Sequence, residues 1–186
     1  MIVILSGVSG AGKDTIKRIL MGKDGRIKTL PSYTTRDKRI NEVEGENYYY
    51  VSKEKFKEMI DNNEFYEYSV HHGNYYGTNK KLLNERIKNN IVLKDIDVNG
   101  TEDLLKIFRG TDIKIISIFL NISKEEMIRR LENRDDKLKQ EEIELRMNRY
   151  DYEMNHIGIY DYVIKNEDAE KTSNIILDII KREQEQ

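Results

Sequence analysis

The chain has 186 residues, enough for one domain with a sizeable hydrophobic core. Although 35% of its residues are charged, the formal net charge is only −2, so the chain lacks the basic excess that favours nucleic-acid binding. It contains no cysteine, which excludes disulfides, thiolate catalysis and cysteine-ligated zinc. The longest apolar run, residues 115–120, is far shorter than the ~20 residues of a membrane span. We expect a cytoplasmic protein whose first residues form a core strand and not a signal peptide.

The first predicted elements are a strand over residues 2–5 and a helix with apolar residues at Ile16, Ile19 and Leu20. Between them lies the glycine loop, residues 7–13, with the sequence Gly7-Val8-Ser9-Gly10-Ala11-Gly12-Lys13. A G-x-x-x-x-G-K pattern between a strand and a helix is typical of a phosphate-binding loop, because its backbone N–H groups and the helix N-terminus point at the anion. The alternative is an ordinary glycine turn. One departure is Asp14, which replaces the usual hydroxyl residue after the lysine and is followed by Thr15.

The amino-acid composition changes between residues 32 and 78. Tyrosines and glycines become frequent there, and helical periodicity nearly vanishes. One short helix is predicted over 53–62, with strands over 48–51 and 65–70. This segment is predicted to be a small, β-rich inserted subdomain.

Strands and helices alternate again after residue 78. Helices are predicted over 79–89, 101–108 and 169–182, and strands over 91–93, 113–120 and 162–164. This alternation predicts an α/β protein with a parallel sheet covered by helices and a ligand at the carboxyl ends of the strands. We expect one domain, with a core over 1–31, 79–121 and 153–186 and two mobile flaps over 32–78 and 122–152.

The segment 122–152 is predicted to be a pair of highly charged helices. Ser123 is expected to be the N-cap of the first helix, and Glu126 is expected to complete a capping box. The segment contains several arginines. A highly charged helical pair of this kind is either a solvated surface or a flap that closes over an anion.

Five further segments carry a resemblance to a known family. They are Ser32-x-Thr34-Thr35-Arg36-x-x-Arg39, Gly45-x-x-Tyr48, Glu64-Phe65-x-Glu67, Gly73-Asn74-Tyr75-Tyr76-Gly77-Thr78 and Asp95-Ile96-Asp97-x-x-Gly100. In this order and spacing they resemble the guanylate kinases, and the resemblance runs from about Ile2 to the last helix. It implies a P-loop kinase core with a GMP-binding insertion, residues 32–78, and a helical lid, residues 122–152.

The chemistry of the first segment agrees with this resemblance. Arg36 and Arg39 suit a doubly charged monophosphate, because the planar guanidinium binds phosphate oxygens bidentately. The resemblance implies that the hydroxyl groups of Tyr48 and Tyr76 complete this clamp. It also implies that Glu67 selects the base, since a carboxylate accepts hydrogen bonds from the N1–H and 2-amino group of guanine.

The resemblance assigns the remaining residues of both nucleotide sites. Ser32 and Thr78 match positions near the guanine O6, and Asp95 and Asp97 match a strand-end pair near the metal and the acceptor nucleotide. The implied ATP-binding residues are Gly7, Ser9, Gly10, Ala11, Gly12, Lys13, Asp14, Thr15 and Asn166. The implied catalytic residues are Lys13, Arg130, Arg134 and Arg146. The cofactor is Mg²⁺ bound with ATP, with Asp14 and Asp95 as candidate ligands.

Three further positions are unexpected, two of them against the family pattern and one against the pattern of its strand. Asp135 stands where a glycine usually follows Arg134, and one extra residue precedes Ile143, which weakens the match of Arg146. Lys94 interrupts an apolar strand where an aliphatic residue is expected.

The favoured interpretation is an enzyme that transfers a phosphoryl group from ATP to GMP, and to dGMP, giving ADP and GDP. A second is a ribose 1,5-bisphosphate phosphokinase, a related family whose loops often carry Gly-Lys-Asp. A third is a catalytically inactive guanylate-kinase-like interaction domain. For the favoured function we expect small-molecule partners, ATP and GMP, without nucleic acid or membrane, in a monomer or homodimer.

Overall fold

The computed structural model of the chain describes residues 1–40, 42–71, 73–133 and 140–185. Two compact units are formed, the first by Met1–Ile2 with Arg26–Ile115 and the second by Val3–Gly25 with Ile116–Gln186. The predicted insertion, residues 32–78, therefore belongs to the first unit, and the predicted lid, residues 122–152, belongs to the second. Within the described ranges, no helix has both the length and the apolar character needed to cross a membrane.

Six strands and three helices lie in the described part of the first unit. The strands are β2 (Ile27–Thr29), β3 (Ser32–Thr34), β4 (Tyr48–Tyr50), β5 (Phe65–His71), β6 (Asn74–Asn79) and β7 (Ile91–Asp95). The helices are α2 (Lys53–Asp61), α3 (Lys80–Arg86) and α4 (Val98–Phe108). β2 and β7 are parallel, with Ile27 opposite Ile91. The other four strands form a mixed sheet in the order β4-β3-β6-β5, so the segment that follows residue 31 is β-rich, as predicted.

An aromatic cluster holds α2 against this mixed sheet. Phe56 and Met59 of α2 and Phe65 of β5 are buried, and the Phe56 and Phe65 rings stack with centroids 4.5 Å apart. Gly77 of β6 lies against these rings: a Cβ atom added there would be 2.9 Å from Phe65 Cδ1 and 3.0 Å from Phe56 Cζ. The lack of a side chain at this position lets the rings pack directly on the strand.

Among its described residues, the second unit contains four α-helices and nearly all of three strands. The strands are β1 (Ile2–Gly7), β8 (Ile115–Asn121) and β9 (Tyr162–Lys165), which are neighbours in that order. The helices are α1 (Lys13–Lys23), α5 (Lys124–Glu132), α6 (Gln140–Asn155) and α7 (Ala169–Glu185), and a 3₁₀ turn spans Ile157–Ile159. β8 and β9 are parallel, with Ile118 opposite Tyr162. Helix α1 packs against α7, and Lys23 forms an ion pair with Glu170 at 2.6 Å.

Helix starts follow local capping chemistry. Ser123 is confirmed as the N-cap of α5, since its Oγ accepts from the Glu126 N–H at 3.2 Å. The Glu126 carboxylate, which we expected to complete a capping box, accepts hydrogen bonds from Arg129 and Arg130. Helix α4 begins at Val98, three residues before the predicted start, because Asp97 is its N-cap.

Candidate active site

The glycine loop lies in the second unit, between the end of β1 and the start of α1. Gly10 and Gly12 have φ values of 74° and 88°, in the left-handed region that favours glycine. Gly12 is the N-cap of α1 and has no side chain to satisfy the first-turn N–H groups, so these groups can bind an anion. Lys13 Nζ donates to the carbonyl oxygen of Gly7 at 2.9 Å, which places its ammonium beside the loop. This geometry fits a phosphate-binding loop.

Two side chains from elsewhere in the second unit hold the glycine loop. Asn166, just after β9, is 3% exposed, and its Nδ2 donates to the carbonyl oxygen of Ala11 at 2.7 Å. Arg130, on α5, donates from Nη1 to the Gly10 carbonyl at 3.3 Å and from Nη2 to the Asn166 carbonyl at 3.0 Å. Its Nε donates to Glu126 Oε1 at 2.6 Å, which fixes the guanidinium plane. Both residues therefore contact the backbone that would surround the phosphates.

A cavity of about 400 Å³ opens beside Arg130 and Asn166. Its other walls come from the start of α5 and the chain around the end of β9, namely Ile122, Ser123, Glu126, Lys165 and Glu167. Among the described residues, Asn166 Oδ1 is a buried acceptor without a hydrogen-bond partner. A buried acceptor next to a cavity of this size suits a flat heterocycle that carries an amino group.

The other ATP-site residues predicted from the sequence lie in different surroundings. Arg146, on α6, donates from Nη1 to Ser9 Oγ at 3.2 Å, so this predicted lid arginine contacts the glycine loop. The Asp14 side chain is 94% exposed, and its Oδ1 is 2.7 Å from Lys17 Nζ. Thr15 is exposed in the first turn of α1. Arg134 lies outside the described residues.

Three of the residues predicted to bind the GMP phosphate lie together in the first unit. The Arg36 guanidinium carbon is 5.3 Å from the centre of the Tyr48 ring, and the Tyr48 and Tyr76 rings meet edge to face at 5.8 Å. The Tyr48 ring face stabilises the Arg36 cation, and Tyr76 packs against that ring. The Arg39 side chain is exposed, while its backbone N–H donates to Glu42. We call Arg36, Tyr48 and Tyr76 the arginine clamp.

Glu42 organises the arginine clamp. Its Oε1 lies 2.6 Å from Arg36 Nη2, and its Oε2 accepts from the Arg39 N–H at 2.9 Å and from Tyr50 Oη at 2.8 Å. Burial by itself raises the pKa of Glu42, but the hydrogen bonds from Arg36, Arg39 and Tyr50 outweigh it and hold the pKa at about 2. Burial and the same carboxylate raise the pKa of Tyr50 to about 12. Arg36 is therefore held in one orientation by a permanently charged acceptor.

A buried carboxylate of the first unit is that of Glu67. Its carboxylate is 7% exposed, and Oε1 accepts a short hydrogen bond from the Thr78 hydroxyl on the facing strand. Oε2 lies close to Gly100, where an added Cβ atom would be 3.3 Å away. Burial raises the pKa of Glu67, and the nearby positive charge of Lys94 opposes that rise. Glu67 is thus a desolvated carboxylate, an acceptor that discriminates strongly between hydrogen-bond partners.

The two strand-end acids differ in their contacts. Asp97 Oδ1 accepts from the Gly100 N–H at 3.0 Å, so it caps α4. Asp95 is half-buried at the last position of β7. This capping hydrogen bond fixes the position of Gly100, which lies close to Glu67 Oε2.

Comparisons with known proteins agree with this arrangement. A family model described as guanylate kinase matches residues 1–183. A guanylate kinase of Prochlorococcus marinus subsp. pastoris is 39% identical over 182 residues, covering 97% of this chain and 96% of the relative, and one of Rickettsia felis is 40% identical over 189 residues, covering 100% and 95%. The crystal structure of guanylate kinase from Anaplasma phagocytophilum covers 100% of this chain and 87% of its own, with a TM-score of 0.80 at 31% identity. The chain belongs to the guanylate kinase family.

Membership of the guanylate kinase family confirms two predictions. The fold is α/β with a parallel sheet flanked by helices, as in the solved guanylate kinase. The enzyme class is that of a nucleoside monophosphate kinase, a transferase.

Two residues that contact the arginine clamp, Glu42 and Tyr50, were not predicted from the sequence. Glu42 continues the three-residue spacing of Arg36 and Arg39, and that spacing is the signal that could have revealed it. Tyr50 lies two residues beyond Tyr48 on the same face of β4, as the period of a strand requires. For a third residue, Lys94, the signal in the sequence is a charge within an otherwise apolar strand.

Proposed function

We propose that this chain catalyses phosphoryl transfer from ATP to GMP, and to dGMP, giving ADP and GDP. The observation that carries the proposal is the buried carboxylate of Glu67, which no phosphate-binding chemistry requires. Guanine offers it two donors, N1–H and the 2-amino group, whereas adenine offers no such pair. A site built around a buried acceptor rejects a base that leaves it unpaired by orders of magnitude.

The first unit supplies the acceptor site in this proposal. Glu67 and Thr78 would bind the guanine edge, with Ser32 near O6. The arginine clamp, oriented by Glu42, would bind the monophosphate, and Arg39 would add a second cation from the exposed side. Charge-assisted bidentate contacts of this kind are among the strongest hydrogen bonds in proteins.

The second unit supplies the donor site. The glycine loop and Lys13 would bind the ATP phosphates, and the cavity beside Asn166 would take the adenine, whose amino group suits the unpartnered Oδ1 atom. Arg130 and Arg146 already contact the loop backbone and Ser9, so small rearrangements would bring both guanidinium groups to the transferring phosphate. Arg134 is predicted from the resemblance to act on the transferring phosphate in the same way.

A magnesium ion that binds with ATP requires few ligands from the protein. It takes most of its ligands from phosphates and water and only one or two from carboxylates. Across the described residues there is no group of three histidine or acidic side chains that could hold an ion by itself. The exposed carboxylate of Asp14, in the first turn after the loop, fits a nucleotide-bound ion, and Asp95 is the second candidate. When bound, the ion would neutralise phosphate charge.

The proposed reaction is a direct in-line transfer. An oxygen of the GMP phosphate attacks the γ-phosphorus of ATP, the bond to the β,γ-bridging oxygen breaks, and ADP leaves. Because the attacking oxygen is already ionised, no general base is needed. The protein acts by positioning the two nucleotides and by placing Lys13 and the arginines where negative charge is spread over the transferred group. We further propose a cytoplasmic monomer or homodimer with small-molecule partners only; the near-zero net charge supports the exclusion of nucleic acid.

The test is ADP release measured with GMP, AMP and ribose 1,5-bisphosphate as acceptors, for the parent, Glu67→Ala and Glu58→Ala. Glu58 is an exposed glutamate on α2 and serves as the matched control. We expect activity with GMP only, and a loss of kcat/KM for GMP in Glu67→Ala of about 2–4 kcal/mol, or roughly 30- to 1,000-fold, with KM for ATP unchanged. Full GMP activity in Glu67→Ala, or equal use of AMP or ribose 1,5-bisphosphate by the parent, would refute the proposal.

A further inference from the structure

A buried lysine contacts Ser32, one of the predicted base contacts. Lys94 is on β7, whose first four residues are all buried, and the lysine itself is only 1% exposed. Its Nζ donates to Ser32 Oγ at 2.5 Å and to the carbonyl oxygen of Leu30 at 3.3 Å. Burying an ammonium is costly unless hydrogen bonds and an opposite charge compensate it. An aliphatic residue would fill this strand position without that cost, so packing alone does not account for the lysine.

The compensating charge is the carboxylate that we assign to base recognition. Glu67 is 7% exposed, and the positive charge of Lys94 acts on it against the effect of burial. The Thr78 hydroxyl donates to Glu67 Oε1, and Oε2, which lies close to Gly100, is the oxygen we assign to the base. Lys94 therefore interacts with both predicted base contacts, with Ser32 through a hydrogen bond and with Glu67 through its charge.

The hydrogen bond to Ser32 has a direction that matters for recognition. An ammonium group only donates, so Ser32 Oγ must accept from Lys94, and the Ser32 hydroxyl proton stays available for another partner. A neighbouring cation also makes that hydroxyl a stronger donor and opposes the approach of a second donor. The pocket then offers a donor at Ser32 beside an acceptor at Glu67. A 6-oxopurine has the complementary order, an O6 acceptor beside an N1–H donor, whereas a 6-aminopurine has both reversed.

We propose that Lys94 is a positioning residue for base selection, which holds the Ser32 hydroxyl as a donor to the 6-oxo group and compensates the buried charge of Glu67. This inference rests on the proposed function, because it assigns the base to the pocket of Glu67. It predicts that replacing Lys94 lowers kcat/KM for the nucleoside monophosphate by an amount that depends on the substituent at the 6-position. The KM for ATP should not change.

The test is a double-mutant cycle between Lys94→Met and Ser32→Ala, with Lys28→Met as the matched control. Methionine keeps the length of the lysine side chain and removes its charge, and Lys28 is an exposed lysine on the adjacent strand β2. The acceptors are GMP, the 2,6-diaminopurine analogue of GMP, which carries a 6-amino group, and AMP. For Lys94→Met we expect kcat/KM for GMP to fall about 10- to 100-fold, with a smaller loss for the diamino analogue and an ATP KM within about twofold of the parent.

The cycle separates a role through Ser32 from a structural role. If Lys94 acts through Ser32, Lys94→Met should cost much less in the Ser32→Ala background than alone. Equal costs in both backgrounds, or unchanged discrimination between GMP and the diamino analogue, would overturn the inference. If the parent itself fails to use GMP, the proposed function fails instead.

A second variant keeps the test decisive if Lys94→Met does not fold. Lys94→Met combined with Glu67→Gln removes both buried charges and leaves neither uncompensated. Compared with Glu67→Gln alone, the pair should lose about a further 10-fold in kcat/KM for GMP, because Ser32 has lost its fixed donor role. Equal activity of the two proteins would overturn the inference.

Discussion

Replacing Glu42 with glutamine tests whether this carboxylate stabilises the arginine clamp. The Glu42 side chain is only 15% exposed, and its hydrogen bonds lower its pKa from 4.5 to about 2 despite burial. At about 1.4 kcal/mol for each pKa unit, this depression corresponds to at most about 3.5 kcal/mol of folding free energy. Solvent screening and the acceptor oxygen that glutamine retains reduce the expected loss to ~1–2 kcal/mol.

The sign of the pH dependence follows from the direction of the pKa change. Because the folded-state pKa of Glu42 lies below 4.5, its contribution is complete above about pH 4.5 and is lost as the pH falls towards about 2. The free energy of unfolding of Glu42→Gln should therefore lie ~1–2 kcal/mol below that of the parent at about pH 7, and this gap should shrink by about pH 3.

Urea unfolding, followed by circular dichroism between about pH 7 and pH 3, measures this gap. Glu46→Gln is the matched control, since Glu46 is an exposed glutamate of the same loop and its replacement should change stability by less than about 0.5 kcal/mol. A gap that stays constant with pH, or that is absent at about pH 7, would refute the proposed role of Glu42. In the same variant KM for GMP should rise about 10-fold, because Arg36 loses the acceptor that orients it, while KM for ATP should not change.

Two further predictions concern the magnesium ligand and the aromatic cluster. Asp14→Ala should raise the magnesium concentration required for half-maximal turnover about 10-fold. Asp14→Ser should leave that concentration largely unchanged, because serine restores the usual hydroxyl. Superimposable magnesium titrations of the parent and the two variants would exclude a metal role for Asp14. Gly77→Ala should lower the free energy of unfolding by about 1–3 kcal/mol, because the added methyl group meets the Phe56 and Phe65 rings. The same change at Gly22, which is open and helical, should be neutral or raise stability by up to about 1 kcal/mol, and equal effects at both sites would contradict the packing explanation.

The tyrosine-rich segment shows where sequence patterns were insufficient for the fold. The sequence predicted β4, α2 and β5, which have clear apolar or aromatic runs, but not β3 or β6. Those two strands are short or rich in glycine and polar residues, so they lack the alternation that marks a strand. They form because neighbouring strands supply the hydrogen bonds and because Gly77 admits two aromatic rings, and both conditions depend on residues distant in the sequence.

The sequence by itself determined the glycine loop and the motifs that resemble the guanylate kinases. The conformation of the loop depends on residues close together in the sequence, since Lys13 donates to the carbonyl oxygen of Gly7 only six positions away. Tertiary structure alone decided the contact between Lys94 and Ser32, which are 62 positions apart, and the approach of Glu67 to Gly100. The physical reason is that the cost of a buried charge depends on what surrounds it, and those surroundings exist only after separate strands have packed together.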